Sequence, residues 1–133
     1  MARNIFKGLG VALITPFTSD GNVDYKSLTR LVEYQIDNGA DFLCILATTS
    51  EAPCLSAEEK EKVKQLVIEV NRGRLPLLMG CGGNNTKAIV EELKNSDWRG
   101  IDGVLSVCPY YNKPSQEGLY QHFKAIAEAS PLP

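Results

Sequence analysis

The sequence predicts an α/β fold in which buried parallel strands alternate with amphipathic helices, and three observations carry that prediction. Short, continuous apolar runs occupy the places of strands covered on both faces. Apolar residues at three- and four-residue spacing fill the stretches between them. The runs begin near positions 10, 42, 75 and 103, so a unit of roughly thirty residues, the size of a βαβ module, recurs along the chain.

Val11-Ala12-Leu13-Ile14, set between Gly8 and Gly10 on one side and Pro16 on the other, is the first strand. Asp24 is placed to cap a helix that turns Leu28, Leu31, Val32 and Ile36 inward and stops at Gly39. Phe42-Leu43-Cys44-Ile45-Leu46 is the second strand. Ser56 and Glu59 have capping-box spacing ahead of a helix whose apolar stripe is Val63, Leu66, Val67 and Val70, broken at Gly73. Residues 75–79 form the third strand. After the loop 80–85 a shorter helix begins about Thr86, with Ile89, Val90 and Leu93 inward. Val104-Leu105-Ser106-Val107 is the fourth strand, and Ser115 caps a last helix carrying Leu119, Phe123, Ile126 and Ala127.

Two architectures use such units. An open doubly wound sheet calls for a G-x-G-x-x-G turn after its first strand, and Thr15-Pro16-Phe17 stands there instead. A (β/α)8 TIM barrel fits better. At 133 residues the chain is about half of a barrel of roughly 250 residues, so it is expected to supply the first four βα units. Residues 1–133 are then the N-terminal half of one barrel domain, with no second domain. Taken alone, that half leaves its first and fourth strands unpaired and much apolar surface wet.

Fourteen basic against sixteen acidic residues give a net charge of −2, spread without blocks. The electrostatic footprint of a nucleic-acid or anionic-membrane binder is missing, which leaves a small-molecule partner. No apolar stretch approaches the roughly 18 residues of a membrane span, and no secretory leader is recognisable, so the cytoplasm is the expected location. Cys44, Cys54, Cys81 and Cys108 contain no C-x-x-C, and the chain has one His. Zinc spacing is therefore absent, the cysteines are expected to be reduced packing thiols, and no metal is expected.

In parallel α/β folds the chemistry sits at the carboxyl ends of the strands. The first such loop offers Thr15-Pro16-Phe17, which reads as a strand terminator. The second, Ala47-Thr48-Thr49-Ser50-Glu51, is the densest polar cluster in the chain. Its hydroxyls can bind a carboxylate or relay a proton, or can simply satisfy loop backbone. The third, running from Gly80 through Cys81, Gly82, Gly83 and Asn84 to Thr86, lacks the G-K-[ST] ending of a P-loop, and its glycines read as a tight turn. The fourth puts Tyr110 and Tyr111 in a Pro-flanked loop, where each hydroxyl needs a partner or water. His122 reads as an ordinary helix residue with no local partner. Lys60, Lys62 and Lys64 read as a solvated helix face.

The Gly10-Val11-Ala12-Leu13-Ile14-Thr15-Pro16-Phe17 start, the Thr48-Thr49 loop and the run from Tyr110-Tyr111-Asn112-Lys113-Pro114-Ser115 through Gln116-Glu117-Gly118-Leu119-Tyr120 resemble the dihydrodipicolinate synthase family from about residue 5 onward. The resemblance implies a pyruvate-dependent class I aldolase barrel that holds pyruvate as a lysine Schiff base and condenses it with L-aspartate 4-semialdehyde to 4-hydroxy-tetrahydrodipicolinate, in the diaminopimelate route to lysine. It implies no cofactor. By the same resemblance Thr49 binds the pyruvate carboxylate, Thr48 relays protons between two tyrosines, and Tyr111 reaches across the interface of a homodimer, or of a dimer-of-dimers tetramer, to complete the partner's relay.

Three departures matter. The family's Gly-Thr-Thr-Gly-Glu is Ala47-Thr48-Thr49-Ser50-Glu51 here, which would cost about 1 kcal/mol or more if either position needed φ above zero. The resemblance puts the Schiff-base lysine, the second relay tyrosine and a carboxylate-binding arginine on later strands, so residues 1–133 alone are expected to be inactive. It also implies that lysine-inhibited members have histidines and a glutamate in the effector pocket where this chain has Ala57, Lys60 and Ala88; only Asn84 and Tyr110 match, so lysine is expected to inhibit weakly or not at all. Two other functions remain open at this point. One is an N-acetylneuraminate lyase or sugar-acid aldolase, against which Thr48 argues because those enzymes typically have Ser-Thr in the second loop. The other is a non-catalytic half-barrel module.

Overall fold

Residues 5–133 are described by the computed structural model. Their strands, β1 (Gly10–Ala12), β2 (Phe42–Ile45), β3 (Leu77–Gly80) and β4 (Gly103–Leu105), form one sheet in the order β1-β2-β3-β4, every pair parallel. The helices α1 (Tyr25–Asp37), α2 (Ala57–Asn71), α3 (Thr86–Asn95) and α4 (Gln116–Ala129) alternate with them. An order that never reverses is the pattern of a barrel wall; a doubly wound sheet changes direction at a switch point.

The register divides the strand residues between two faces. Val11, Leu43 and Leu77 share one row, and Ile45 and Met79 share the next with Val104. All but Val104 meet Leu28 and Val32 of α1 and Val63, Val67 and Val70 of α2 in the main core, and Val104 packs against a second cluster. A smaller core joins Cys81 to Ile89 and Leu93 of α3 and Ile126 of α4, and Trp98 packs against both clusters. The other face carries Ala12, Cys44 and Leu78 and, one row on, Gly80 beside Leu105. No helix covers that face at its edges: Ile14 is 53% and Leu105 46% exposed.

The sheet ends match the expectation of unpaired outer strands, with one addition. The N–H of Val104 donates to the carbonyl of Pro133 at 2.9 Å, so the last residues run alongside β4. The apolar runs located the strands to within two or three residues. Pairing starts at Leu77 and not at Leu75, because Pro76 has no N–H to give a ladder. Pairing in the first strand begins one residue early, at Gly10, and the Leu13 N–H extends the ladder to the Cys44 carbonyl at 2.9 Å.

Every predicted cap is present. Asp24 accepts from the Ser27 N–H, Ser56 and Glu59 close a full capping box, and Ser115 accepts from the Gly118 N–H. α2 ends one residue earlier than expected, with Arg72 already left-handed at φ 50° before Gly73. The predicted face of α4 is slightly rotated. Ala127 is exposed and His122 is buried, because the His122 ring is drawn toward α3 by a 2.8 Å hydrogen bond between its Nδ1 and the Thr86 hydroxyl. Among the described residues no helix is long and apolar enough to cross a membrane.

Leu43 lies wholly buried between the sheet and two helices, whereas Tyr34 on α1 faces solvent. Leu43→Ala is expected to lower unfolding free energy by about 2–5 kcal/mol. Tyr34→Ala should change it by no more than about 0.5 kcal/mol, both measured by urea unfolding.

Candidate active site

A parallel sheet puts all four strand ends on one rim, and the second loop is the most constrained segment there. Leu46 and Glu51 both take left-handed backbone, at φ 52° and 54°. Between them Thr48–Ser50 form a 3-10 turn, closed by Ser50 N–H to Ala47 O at 3.1 Å and Glu51 N–H to Thr48 O at 3.0 Å. The Thr48 and Thr49 side chains are exposed on this turn. A second 3-10 turn, Ala52–Cys54, leads into α2.

The two residues that replace the glycines of the resembled motif sit comfortably. Ala47 has φ −90°, and Ser50 is not among the positive-φ residues. The cost foreseen for positive φ at these positions does not arise, because the left-handed positions are their neighbours. Ser50 is buried, and its hydroxyl donates to the Leu13 carbonyl at 2.7 Å. In return, the buried Thr15 hydroxyl donates to the Ser50 carbonyl at 2.7 Å. Thr15 is thus more than a strand terminator: it ties the first loop to the second. The available signal was position, since a hydroxyl at the end of a buried strand has mainly neighbouring carbonyls to bond.

The glycines of the third loop are there for close approach. A Cβ on Gly80 would run into the Leu46 carbonyl oxygen and the Ala47 Cα, and one on Gly82 would lie 2.8 Å from the Val107 nitrogen. The third loop is therefore wedged between the second and fourth, and its glycines hold the rim tight.

The fourth loop projects. The Asn112 N–H bonds back to the Tyr110 carbonyl at 2.8 Å, a γ-turn centred on Tyr111 at φ 64°, and Lys113 follows at φ 46°. Such backbone is strained for residues with a Cβ and costs of order 1–3 kcal/mol per residue. The turn leaves Tyr111 92% exposed, its ring edge-on to Tyr110 with centroids 6.1 Å apart. The Asn84 amide donates to the Tyr110 carbonyl at 3.4 Å, which joins the third and fourth loops.

A cavity of about 550 Å³ opens between these loops and the helices α2 and α3. Thr48, Gly80, Leu105 and Tyr110 line its rim side, and Ala57 and Lys60 line its helix side. Thr48 and Tyr110 are brought together there, while Thr49 and Tyr111 stand outside the lining. Asn84 reaches the cavity only through Tyr110.

Three sequence readings change in the structure. Lys64 does not belong to a solvated face. Its side chain is 3% exposed, with Nζ donating to the Asp97 carbonyl at 3.0 Å and paired with Glu61 at 2.6 Å. Helical periodicity places Lys64 beside Val63 and Val67, where a long stem packs inward and its ammonium finds a carbonyl. The four cysteines, all unpaired, are also unequal: Cys44 and Cys81 are packed, whereas Cys54 and Cys108 are exposed. Burial pushes both packed thiols up, and with Glu92 nearby Cys81 is pushed up to about 12. His122 does have a partner in Thr86, and its Nε2 is buried without one. Among the described residues no three His, Cys, Asp or Glu side chains converge as a metal site.

The dihydrodipicolinate synthetase family model matches residues 5–133. Across its whole length the chain is 60% identical to the 4-hydroxy-tetrahydrodipicolinate synthase of Phocaeicola vulgatus, of which it covers 45%. It superimposes with a TM-score of 0.89 on the chloride-inhibited dihydrodipicolinate synthase of Acinetobacter baumannii complexed with pyruvate, at 48% identity over 95% of this chain and 43% of that one. The Cyanidioschyzon merolae enzyme with lysine bound gives a TM-score of 0.89 at 37% identity, covering 98% and 45% of the two chains. The chain therefore spans less than half the length of the relatives it matches. Its sheet and helices are the first half of the α/β barrel that these structures share.

With its thiol protonated and packed, Cys81 should resist alkylation at pH 8. Peptide mapping after native treatment with iodoacetamide is expected to find Cys54 and Cys108 modified and Cys44 and Cys81 modified only after denaturation.

Proposed function

The chain belongs to the dihydrodipicolinate synthetase family, and on that premise we propose that the protein is a lyase condensing pyruvate with L-aspartate 4-semialdehyde to give 4-hydroxy-tetrahydrodipicolinate, a step toward diaminopimelate and lysine. Residues 1–133 form the N-terminal half of its single barrel domain, and the enzyme works in the cytoplasm without a metal or other cofactor. A lysine amine outside these residues attacks the keto carbon of pyruvate, and loss of water gives the imine. The protonated imine withdraws electrons, a proton leaves the pyruvate methyl group, and the enamine carbon attacks the aldehyde, whose oxygen takes up a proton. The substrate's own amine then displaces the lysine from the imine carbon to close the ring and free the product.

Thr49 holds the pyruvate carboxylate through its hydroxyl and backbone. Thr48 passes protons, which a hydroxyl can do because it both donates and accepts. Tyr111 acts at the site of a second copy, and that copy's Tyr111 acts here, a reciprocal contact natural to a two-fold dimer or a tetramer of two such dimers. The observation that carries this reading is the strained γ-turn that leaves the Tyr111 phenol bare at the rim where Thr48 lies. A side chain held out at that conformational cost needs a partner to meet.

Borohydride treatment of the whole protein with pyruvate should trap one adduct, mapping to a lysine outside residues 1–133; an adduct on a lysine within them, or cleavage of N-acetylneuraminate with no synthase activity, would overturn the assignment. Thr48→Val and Tyr111→Phe should each lower kcat by roughly 100-fold or more through loss of proton transfer, and mixed dimers of the two variants should recover part of the activity.

Asn84 and Tyr110 are the remnant of an effector pocket whose other positions are filled by Ala57, Lys60 and Ala88. Lys60 lines the cavity together with Glu61, Lys64 and Glu92, and none of positions 57, 60 and 88 carries a carboxylate, so an incoming ammonium meets a like charge at Lys60 and finds no anion at the resembled pocket positions. Lysine at millimolar concentration is expected to leave the rate within about twofold, as read in a steady-state assay.

A further inference from the structure

We propose that Ser50 and Thr15 form a two-way clamp that positions Thr49 for the pyruvate carboxylate, a role that rests on the reading of Thr49 given above. Ser50 is 2% and Thr15 4% exposed, so both hydroxyls are sealed from water. The Ser50 hydroxyl donates to the Leu13 carbonyl at 2.7 Å, and the Thr15 hydroxyl donates to the Ser50 carbonyl at 2.7 Å. These bonds span sequence separations of 37 and 35 residues, and they strap the Thr48–Ser50 turn to the end of the first strand.

The strap has firm ground on its far side. The Pro16 carbonyl, next to Thr15, accepts the Asp24 N–H at 2.8 Å, and Asp24 caps α1. On its near side the turn is held by only two internal hydrogen bonds between left-handed Leu46 and Glu51, conformations that persist only where surrounding structure over-determines them. Ser50 follows Thr49 directly in the chain, so loosening Ser50 moves Thr49 before it moves Thr48. The glycine of the resembled motif has no hydroxyl to offer here, which makes this half of the clamp a feature of this sequence. Small displacements of a positioning group cost much rate, because binding geometry has to be held to a fraction of an ångström.

The test uses the whole protein and three variants, Ser50→Ala, Thr15→Val and Thr15→Ser, with the Ser50→Ala/Thr15→Val double variant. Ser50→Ala and Thr15→Val should each lower kcat/KM for pyruvate, and the rate of borohydride-trapped adduct formation, roughly tenfold, while kcat/KM for the aldehyde falls by less than about threefold. Thr15→Ser keeps the hydroxyl and should stay within about twofold of the wild type, and the double variant should be little worse than the weaker single, as expected of groups acting as one unit. An unchanged pyruvate half-reaction, an equal loss in both half-reactions, or a Thr15→Ser variant as impaired as Thr15→Val would overturn the clamp. Should Ser50→Ala fail to fold, the two Thr15 variants carry the same comparison. A wild type that forms no adduct refutes the pyruvate reading itself, whereas a wild type that forms one beside insensitive variants refutes only the clamp.

Discussion

The parallel register of the sheet is the constraint on which everything else depends. With Val11, Leu43 and Leu77 in one row and Leu13 continuing the ladder beside Cys44, each strand must send the same alternate residues to the helices. The side chains between them go to the opposite face, and all four loops that follow go to one rim. A one-residue slip in any strand would put Leu43 or Leu77 on the uncovered face and would turn its loop by the same step. The register therefore fixes the core and the candidate site together.

Strain is distributed unevenly along the chain in a way that follows from this geometry. Among the described residues the non-glycine positions with left-handed backbone are Leu46, Glu51, Arg72, Tyr111 and Lys113. Arg72 is an ordinary helix terminus. The other four lie in the second and fourth rim loops, the same loops that supply Thr48, Thr49 and Tyr111. Gly80 and Gly82 allow the third loop to pass between them at backbone contact distance. Strained turns are kept where the surrounding structure over-determines them, and here that surrounding is the glycine wedge together with the hydroxyl ties from Thr15 and Ser50.

Much of this was legible in the sequence because it depends on short-range rules. Four apolar runs, three capping residues and the helix stripes depend on residues within about a turn of one another, and the structure follows them closely. The rim residues were legible as a set of loops, and the resemblance supplied their roles. What escaped depends on long-range pairing. Lys64 looks solvated until Asp97, distant in sequence, brings a carbonyl to it, and His122 looks idle until Thr86 brings a hydroxyl from another helix. The strand starts slipped where a local chemical fact overrode the hydropathy, as with Pro76. The left-handed positions of the second loop are Leu46 and Glu51 rather than Ala47 or Ser50, because residue type alone does not say which residue of a tight loop takes positive φ.

The most direct measurement is a crystal structure of the whole protein after borohydride reduction with pyruvate. The account predicts the reduced adduct at the carboxyl-end rim, its carboxylate within about 2.6–3.2 Å of the Thr49 hydroxyl or backbone nitrogen, and the Thr48 hydroxyl within that distance of a Tyr111 phenol from a second copy. An adduct at the opposite end of the barrel, or a Tyr111 that meets no second copy while Thr48 bonds only its own loop, would contradict it.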